Sequence, residues 1–519
     1  MKMELVKNKV GRMVPTYIEG IGELKPFNGI FDTEVEGRRH GAINSKVVPS
    51  DQKLLGSIRE AIEKTGLKDG MTVSFHHHLR NGDYVLMMVM DEIAKMGIKD
   101  ITICSSSLTN AHEGLIEHIK KGVVTGLHTS GLRGNIAKEI TTNCILPTPV
   151  IFRTHGGRAR AIESGDVKID VAFVAASCCD EMGNMNGKVG KSAFGAMGYP
   201  MVDAQYADKV VAITDNLVSY PAYPISIPQN LVDYVVVVEE IGDPSLISAG
   251  ATRVTKNPLE LLIAEYASEV LIQSGLVKEG FSFQAGSGGA SLAVAKFLRD
   301  YMKENNIVGS FASGGATSYL VELLEEGLFR TLLDTQTFDA KAATSFVKNE
   351  NHLEMSASMY ANPHNKGCVA NKLDIMILSA TEVDVHYNVN VMTASTGVIM
   401  GAQGGHPDTA AGAKLTVVVA PLMRKRIPIV VDEVTTVVTP GETVDVVVTE
   451  RGIAVNPKNL ELLEKLKKTN LPVMTIEELK NLAENFTGKP EKVAFGDKIV
   501  GIIEYRDGTA MDVIRNVVK

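Results

Sequence analysis

The chain has 519 residues, 45% of them apolar, with 53 lysines and arginines against 61 aspartates and glutamates, a formal charge of −8. At about 150 residues per domain this length allows two large domains or three smaller ones, and the apolar fraction excludes a disordered or collagen-like chain. The acidic balance offers no sequence-wide basic field, so nucleic acid is not expected as a partner, and no stretch reaches the ~18 uncharged apolar residues that a membrane span needs.

The opening MKMELVKNKVGRMVPT carries charges throughout instead of the apolar run of a signal peptide, which reads as a cytoplasmic protein. Residues 1–50 read as an N-terminal extension, followed by a helix over Gln52–Lys64 after the Pro49-Ser50 start signal. Val- and Ile-rich runs at Lys99–Cys104, Ile169–Ala176, Val210–Ile213 and Leu231–Val238 then alternate with helix-like segments. The second half repeats this alternation. A helix over Pro258–Gln273 has Asn257 as N-cap and Gly275 as stop, another is expected over Ala290–Asn305, and strands over Leu373–Ala380, Leu415–Val419 and Ile427–Val431. Leu460–Asn485 reads as two helices whose Leu460, Leu463 and Leu466 form a packing face. Continuous apolar strands between amphipathic helices indicate parallel sheets covered on both faces, so the fold class is α/β. The five cysteines, an odd number without a CxxC pair, are expected as buried reduced thiols.

An internal repeat organises the chain. IDVAFVAASCCDEMGNMN (Ile169–Asn186) lies without a gap over LDIMILSATEVDVHYNVN (Leu373–Asn390), matching Asp170 with Asp374, Asp180 with Asp384, Asn184 with Asn388 and Asn186 with Asn390. TVSFHH (Thr72–His77) is set against GFSFQA (Gly280–Ala285), Ser105 against Ser313 and Thr109 against Thr317. Two homologous α/β domains are therefore expected, residues 51–256 and 257–519.

Ligands of open parallel sheets sit beyond the carboxyl ends of the strands, and strand Leu373–Ala380 runs into Glu382 at that edge. Its counterpart in the first repeat is Cys178, whereas Asp180 and Asp384 occur in both copies. The shared aspartates are expected to brace the turn, and the unshared Glu382 is the candidate for chemistry, as nucleophile or general base. Glycine clusters at Gln284, Gly286, Gly288, Gly289 and at Gly401, Gly404, Gly405 would let backbone N–H groups approach a thioester oxygen or a phosphate. The loop His155-Gly156-Gly157-Arg158 suits a polycarboxylate, since an arginine fork binds carboxylates in bidentate fashion. In His76-His77-His78 only His76 and His78 would share a face and no carboxylate companion stands at ligand spacing, so no metal is expected and His76 is placed in a loop at the cleft.

SATEVDVHYNVNV, QAGSGGAS and VVVTERGIAVNP resemble the acyl-CoA transferases and acetyl-CoA hydrolases, whose two related α/β domains hold the acyl site between them. THGGRARAIESGDVKIDVAFVAA, with GRMVPTYIEG near the N-terminus, is similar to the alpha subunits of citrate lyase over essentially the whole chain. That resemblance implies transfer of an acyl carrier protein thioester from acetyl to citrate, giving citryl carrier protein and acetate. It implies a beta subunit that cleaves the citryl thioester and a gamma subunit that carries the acyl group on a phosphoribosyl-dephospho-CoA arm. No cofactor bound by this chain itself and a homo-oligomeric assembly are expected with it. By matching positions Glu382 falls where the CoA transferases keep their nucleophilic glutamate. Gly401, Gly404 and Gly405 would meet the thioester, Gln284 to Gly289 the arm, and His155 to Arg158 with His76 the citrate. His406-Pro407-Asp408 departs from the Ser-Gly-Asp that follows the glycines in CoA transferases. A covalent glutamyl route and a direct mixed-anhydride route both remain open at this point. So do a free CoA transferase or hydrolase, a citramalate-specific relative, and a non-enzymic ligand sensor, which would need a helix-turn-helix and a basic face that the sequence lacks.

Overall fold

Strands rich in Val, Ile and Ala, apolar on both faces, have to be covered on both sides, and Val171–Ala176 is buried along its whole length between the parallel strands Thr72–Phe75 and Lys209–Thr214. The computed structural model describes residues 4–33, 47–248, 255–286 and 288–518; residues 1–3 and 34–46 of the expected N-terminal extension lie outside the described residues, as does Ser287.

From one edge to the other the first large sheet runs Ala510–Val517, Phe495–Glu504, Val150–Phe152, Val124–Thr129, Ile101–Ser105, Thr72–Phe75, Val171–Ala176, Lys209–Thr214, Tyr234–Val237 and Leu54–Leu55. The second runs His352–Glu354, Phe329–Thr337, Gly309–Ala316, Ser282–Ala285, Ile375–Ser379, Leu415–Val419, Val446–Val448 and Ile453–Val455. From Val150–Phe152 and His352–Glu354 onward the two orders correspond strand for strand. Only the last strand differs in direction, parallel at Leu54–Leu55 and antiparallel at Ile453–Val455. Helices cover both sheets, and each sheet has its own apolar core. No helix among the described residues is long and apolar enough to cross a membrane.

The correspondence shifts one expected pairing. Asp170 Oδ2 accepts the Thr72 N–H at 2.8 Å, and Asp374 Oδ2 accepts the Ser282 N–H at 2.9 Å, so Thr72 lies over Ser282 and not over Gly280. Asp180 and Asp384 brace their turns. Asp180 accepts the N–H groups of Met182, Asn184 and Ala222, and Asp384 those of His386 and Asn388.

Other expectations are corrected by long-range pairing. Hairpin 495–517 falls in the expected second domain, yet Gly501–Ile503 pairs in parallel with Val150–Phe152 of the first sheet. The helix expected from Gln52 starts at Ile58 behind Ser57 as N-cap, because Leu54–Leu55 extends the sheet beside Val235–Val236. The run Ile427–Val431 is broken at Pro428, which has no N–H to continue a ladder. Ile427–Pro428 pairs with Met423–Arg424, and Val430–Val431 pairs separately with Val383–Asp384. The two C-terminal helices are Leu460–Leu466 and Ile476–Thr487; Leu462 and Leu466 are buried, while Leu460 is exposed. All five cysteines are unpaired, four buried and Cys144 half-buried.

The halves are joined at the C-terminal ends of their strands. Gln403 N–H donates to Ser130 O at 2.8 Å, Leu132 N–H to Gly401 O at 3.1 Å and His155 N–H to Gly404 O at 2.8 Å. Thus the second glycine cluster is bonded along its length to the first sheet.

Candidate active site

Glu382 begins the short strand Glu382–Asp384, three residues past the end of Ile375–Ser379, and is 4% exposed. Its orientation is fixed by three donors. Oε2 accepts Asn390 Nδ2 at 2.8 Å and the Thr435 N–H at 2.7 Å, and Oε1 accepts the Thr435 hydroxyl at 3.0 Å. Asn390 in turn accepts the Met392 N–H at 2.9 Å, and Met392 O accepts the Gly401 N–H at 3.0 Å, so one asparagine links the carboxylate to the glycine loop. Asn390 is visible in the repeat; Thr435, in a loop without pattern, carries no sequence signal.

In that loop a Cβ on Gly401 would lie 1.9 Å from Val391 O, and Gly404 has φ +55°, so both positions need glycine for fit or for backbone conformation. The N–H of Gly401 is taken by Met392. Those of Gly404 and Gly405 meet no acceptor among the described residues. His406 opens the following helix with both ring nitrogens bonded, Nδ1 to Thr439 Oγ1 at 2.6 Å and Nε2 to Ser379 O at 3.0 Å; burial presses its pKa down to about 4. It is a neutral strut between Thr439 and the end of strand Ile375–Ser379, not a titrating group at pH 7.

The first glycine cluster divides into two parts. Gln284 is committed internally, donating to the Tyr360 hydroxyl at 2.7 Å and accepting from Ser313 at 2.9 Å, and Gly286 N–H donates to Ile377 O at 2.8 Å. Gly288 and Gly289 instead open the helix Gly289–Glu304, which has no side-chain cap. The buried Ser291 hydroxyl in its first turn has no partner among the described residues, and a Cβ on Gly288 would lie 3.5 Å from Ser379 Oγ. Free first-turn amides and an orphan hydroxyl form an anion-accepting end.

His155-Gly156-Gly157-Arg158 is no loop. These residues form the first turn of the helix His155–Ser164, capped by Thr154, whose hydroxyl accepts the Gly157 N–H at 2.7 Å. The Gly156 N–H donates to Asp408 Oδ2 at 2.9 Å, and a Cβ there would lie 1.9 Å from Ala361 O. Asp408 also accepts the Thr154 hydroxyl at 2.8 Å, and Arg506 Nε stands 3.6 Å away; burial, opposed by Arg506, pushes its pKa up to about 6. Nor does the Arg158 fork face open space. Its nitrogens grip buried Asp203 at 2.8 and 2.9 Å and Cys104 O at 3.2 Å. Gly156, Gly157 and Arg158 therefore join parts of the protein, and the expectation that they hold a substrate carboxylate is replaced by that role.

The imidazoles remain. His76 and His155 each pack against the Tyr199 ring, at 4.7 Å between ring centres. His76 Nδ1 meets Ser106 Oγ, whereas His76 Nε2 and His155 Nδ1 are buried without a partner among the described residues. Burial, then the charges of Arg158 and Arg133, press His155 down to about 3; burial, then its histidine neighbours and Arg158, hold His76 well below the usual imidazole range. Both are neutral donors or acceptors. No group of three His, Cys, Asp or Glu among the described residues is arranged to hold a metal. A separate polar cavity of about 720 Å³, lined by Lys25, His128, Arg153, Arg160 and Glu504, includes none of the expected site residues.

A buried carboxylate at a strand end, two unpaired glycine amides and an uncapped helix together suit acyl exchange. The comparisons with known proteins agree. The sequence profile of the family "Citrate lyase, alpha subunit" matches residues 51–517. The citrate lyase alpha chain of Haemophilus influenzae is 53% identical over 90% of this chain and 93% of its own length. A solved structure assigned as the alpha subunit of citrate lyase from Streptococcus mutans, in complex with citrate, is 56% identical with a TM-score of 0.95, covering 99% of this chain and 100% of its own. The fold alone is shared with a malonate decarboxylase alpha subunit from Acinetobacter baumannii (17% identical, TM-score 0.63, 83% of this chain and 86% of its own) and a 4-hydroxybutyrate CoA-transferase from Porphyromonas gingivalis (18%, TM-score 0.53, 83% and 96%). The chain belongs to the citrate lyase alpha subunit family.

Proposed function

We propose that the chain transfers an acyl carrier protein thioester from acetyl to citrate, with Glu382 at the reacting centre. The carrying observation is the Glu382 carboxylate, buried at the strand end and oriented by Asn390 and Thr435 in a family whose members are citrate lyase alpha chains. Exchange of one acid for another on sulfur is nearly thermoneutral, so the protein has to supply position, charge stabilisation and dryness more than driving force. A carboxylate attacks the thioester carbonyl, the C–S bond breaks, and the thiolate then attacks the citryl carbonyl as acetate leaves. The Gly404 and Gly405 amides face no acceptor in the protein and suit the oxyanion of each step. The uncapped helix at Gly288–Gly289, with Ser291, suits a phosphate or amide of the carrier's phosphoribosyl-dephospho-CoA arm. His76 and His155 suit the citrate. Glu382 serves as first acyl acceptor or as the charge that aligns the incoming acid.

Family membership implies a multi-subunit citrate lyase assembly. Docking of beta and gamma subunits, self-association and a cytoplasmic setting belong to the same proposal. The test is an exchange assay on the purified chain with acetyl-CoA or its dephospho form and labelled citrate, following label into a thioester. Label is expected in the wild type and is lost in Glu382→Gln; normal turnover in that variant refutes a catalytic Glu382. A borohydride-sensitive adduct at Glu382, formed with the acetyl thioester alone, distinguishes the covalent route from direct attack by citrate.

A further inference from the structure

The loop that carries Thr435 has no ladder of its own. Strand Val430–Val431 ends before it, and residues 432–438 form neither helix nor strand, yet Val434, Thr436 and Val437 are buried. The main chain is held instead by two charged side chains from near the two ends of this chain. Arg12 Nη2 donates to Val434 O, and Asp512 Oδ2 accepts the Val437 N–H at 2.8 Å. These two holders are joined to each other, with Arg12 Nε 3.2 Å from Asp512 Oδ2. Between the two points of attachment, the Thr435 N–H and hydroxyl reach Glu382 at 2.7 and 3.0 Å.

This bracket is anchored at its base. Arg12 N–H donates to Asn8 Oδ1 at 2.9 Å and Asn8 Nδ2 to Met511 O at 2.8 Å, so residues 8–12 are fastened to the hairpin beside Asp512. Asp512 is buried, and burial pushes its carboxyl up, opposed first by Arg12 and then by the Val437 and Val513 N–H groups. A buried carboxylate without its countercharge is costly, so Arg12 supports the acceptor that holds Val437 as well as holding Val434 itself. The corresponding loop of the first half lies open. There the Ala222 N–H bonds Asp180 as the Val434 N–H faces Asp384, which makes Tyr223 the counterpart of Thr435, and Tyr223 is 84% exposed.

We propose that Arg12, paired with Asp512, positions Glu382 for acyl exchange by fixing the backbone on both sides of Thr435. Arg12 acts through Thr435 and is a positioning residue. This rests on the exchange reading above and carries the support of the reacting carboxylate out to the N-terminal extension. Without the guanidinium, Val434 O and Asp512 each lose a charge-assisted bond, the loop relaxes, and the two Thr435 donors leave the Glu382 carboxylate. Reacting groups tolerate little of this, since a misplacement of about 1 Å costs roughly 10²-fold in rate.

The experiment compares wild type, Arg12→Gln, Arg12→Lys and Phe27→Leu as full chains, measuring exchange of labelled citrate with acetyl-CoA, urea unfolding, and hydrogen exchange of peptides spanning residues 432–438. Phe27 serves as control, because its ring packs edge-on against Tyr505 at 4.9 Å and ties the same N-terminal segment to the same hairpin outside the Arg12–Asp512 pair. Arg12→Gln is expected to lower kcat roughly 10–100-fold, with KM for citrate and acetyl-CoA within about twofold, and to speed hydrogen exchange of the loop about tenfold. Arg12→Lys keeps a charge beside Asp512 but not the fork that also reaches Val434 O. It is expected between wild type and Arg12→Gln, and it decides the matter if Arg12→Gln does not fold. Phe27→Leu is expected to keep kcat and loop protection within about twofold of wild type, even where its urea midpoint falls further. Unchanged kcat in Arg12→Gln, or losses that follow the urea midpoint across all variants including Phe27→Leu, overturn the proposal. If wild type exchanges no label while loop protection still depends on Arg12, the exchange reading fails and the bracket stands. Loop protection indifferent to Arg12 removes the bracket itself.

Discussion

Each half of the molecule carries, beyond its large sheet, a small three-stranded sheet built to one plan. In the first half Cys178 stands opposite Asn186 and Cys179 pairs with Leu217; in the second, Glu382 stands opposite Asn390 and Val383 pairs with Val430. The Asp-Asn clasp is repeated, with Asn184 Nδ2 on Asp180 at 2.8 Å and Asn388 Nδ2 on Asp384 at 3.1 Å. The clearest difference lies in one pair. Asn186 turns its amide to Pro224 O at 2.7 Å, whereas Asn390 turns the same atom to Glu382 at 2.8 Å. A duplicated scaffold thus supplies rigid geometry twice, and the carboxylate proposed to react stands where the copies diverge.

The sharpest way to break this comparison is to exchange the roles of the divergent pair. Glu382→Gln should reduce exchange by roughly 10²–10⁴-fold with little change in melting temperature. Cys178→Ser should leave exchange within about twofold; a large loss there would mean that the first copy is also catalytic.

A smaller effect probes the junction between the halves. Gly156→Ala should cost roughly 1–3 kcal/mol in urea unfolding, since its Cβ would meet the carbonyl of Ala361 at 1.9 Å and backbone cannot move aside as a side chain can.

The shared aspartates offer a subtler contrast. Burial raises both, but at Asp180 the N–H groups of Ala222 and Asn184 outweigh it and the carboxyl is lowered, while at Asp384 burial prevails and it is raised. The Ala222 N–H donates to Asp180 at 2.8 Å, but its counterpart from Val434 stands 3.5 Å from Asp384. Stability from Asp180 is therefore present above the unfolded carboxylate value and lost as pH falls through the folded value. Asp384 contributes in the opposite sense, losing stability as pH rises through its raised value. Asp180→Asn should then destabilise more than Asp384→Asn at pH 7, by about 1 kcal/mol for the weaker bond, read from urea midpoints.

Smallest is the pH profile of Asp408. With its pKa raised to about 6, its contribution declines as pH climbs from ~4 to about 6. Asp408→Asn should flatten the wild-type stability profile across that window.

The repeat, the alternating α/β pattern and Glu382 as the unshared carboxylate could be read from the sequence because they are local strings set against one another. What could not be read depends on distant partners. Thr154-His155-Gly156-Gly157 looks like a loop by its glycines, yet those glycines serve close approach to Ala361 and Arg506 at a helix start. Arg158 looks like a carboxylate receptor until Asp203, 45 residues on, is brought against it.

Hairpin Phe495–Val517 completes the first sheet from the far end of the chain, and the near end leans on it: Phe27 N–H donates to Ala510 O at 3.0 Å and Asn8 Nδ2 to Met511 O at 2.8 Å. During synthesis the edge at Val150–Phe152 emerges about 340 residues before its neighbour, roughly 20–70 s at ordinary ribosomal speeds. For that interval the nascent first half presents an unpaired edge and an unanchored leader, a template for pairing with other chains. Chaperone occupancy on ribosome-bound chains should accordingly persist until the hairpin has left the exit tunnel.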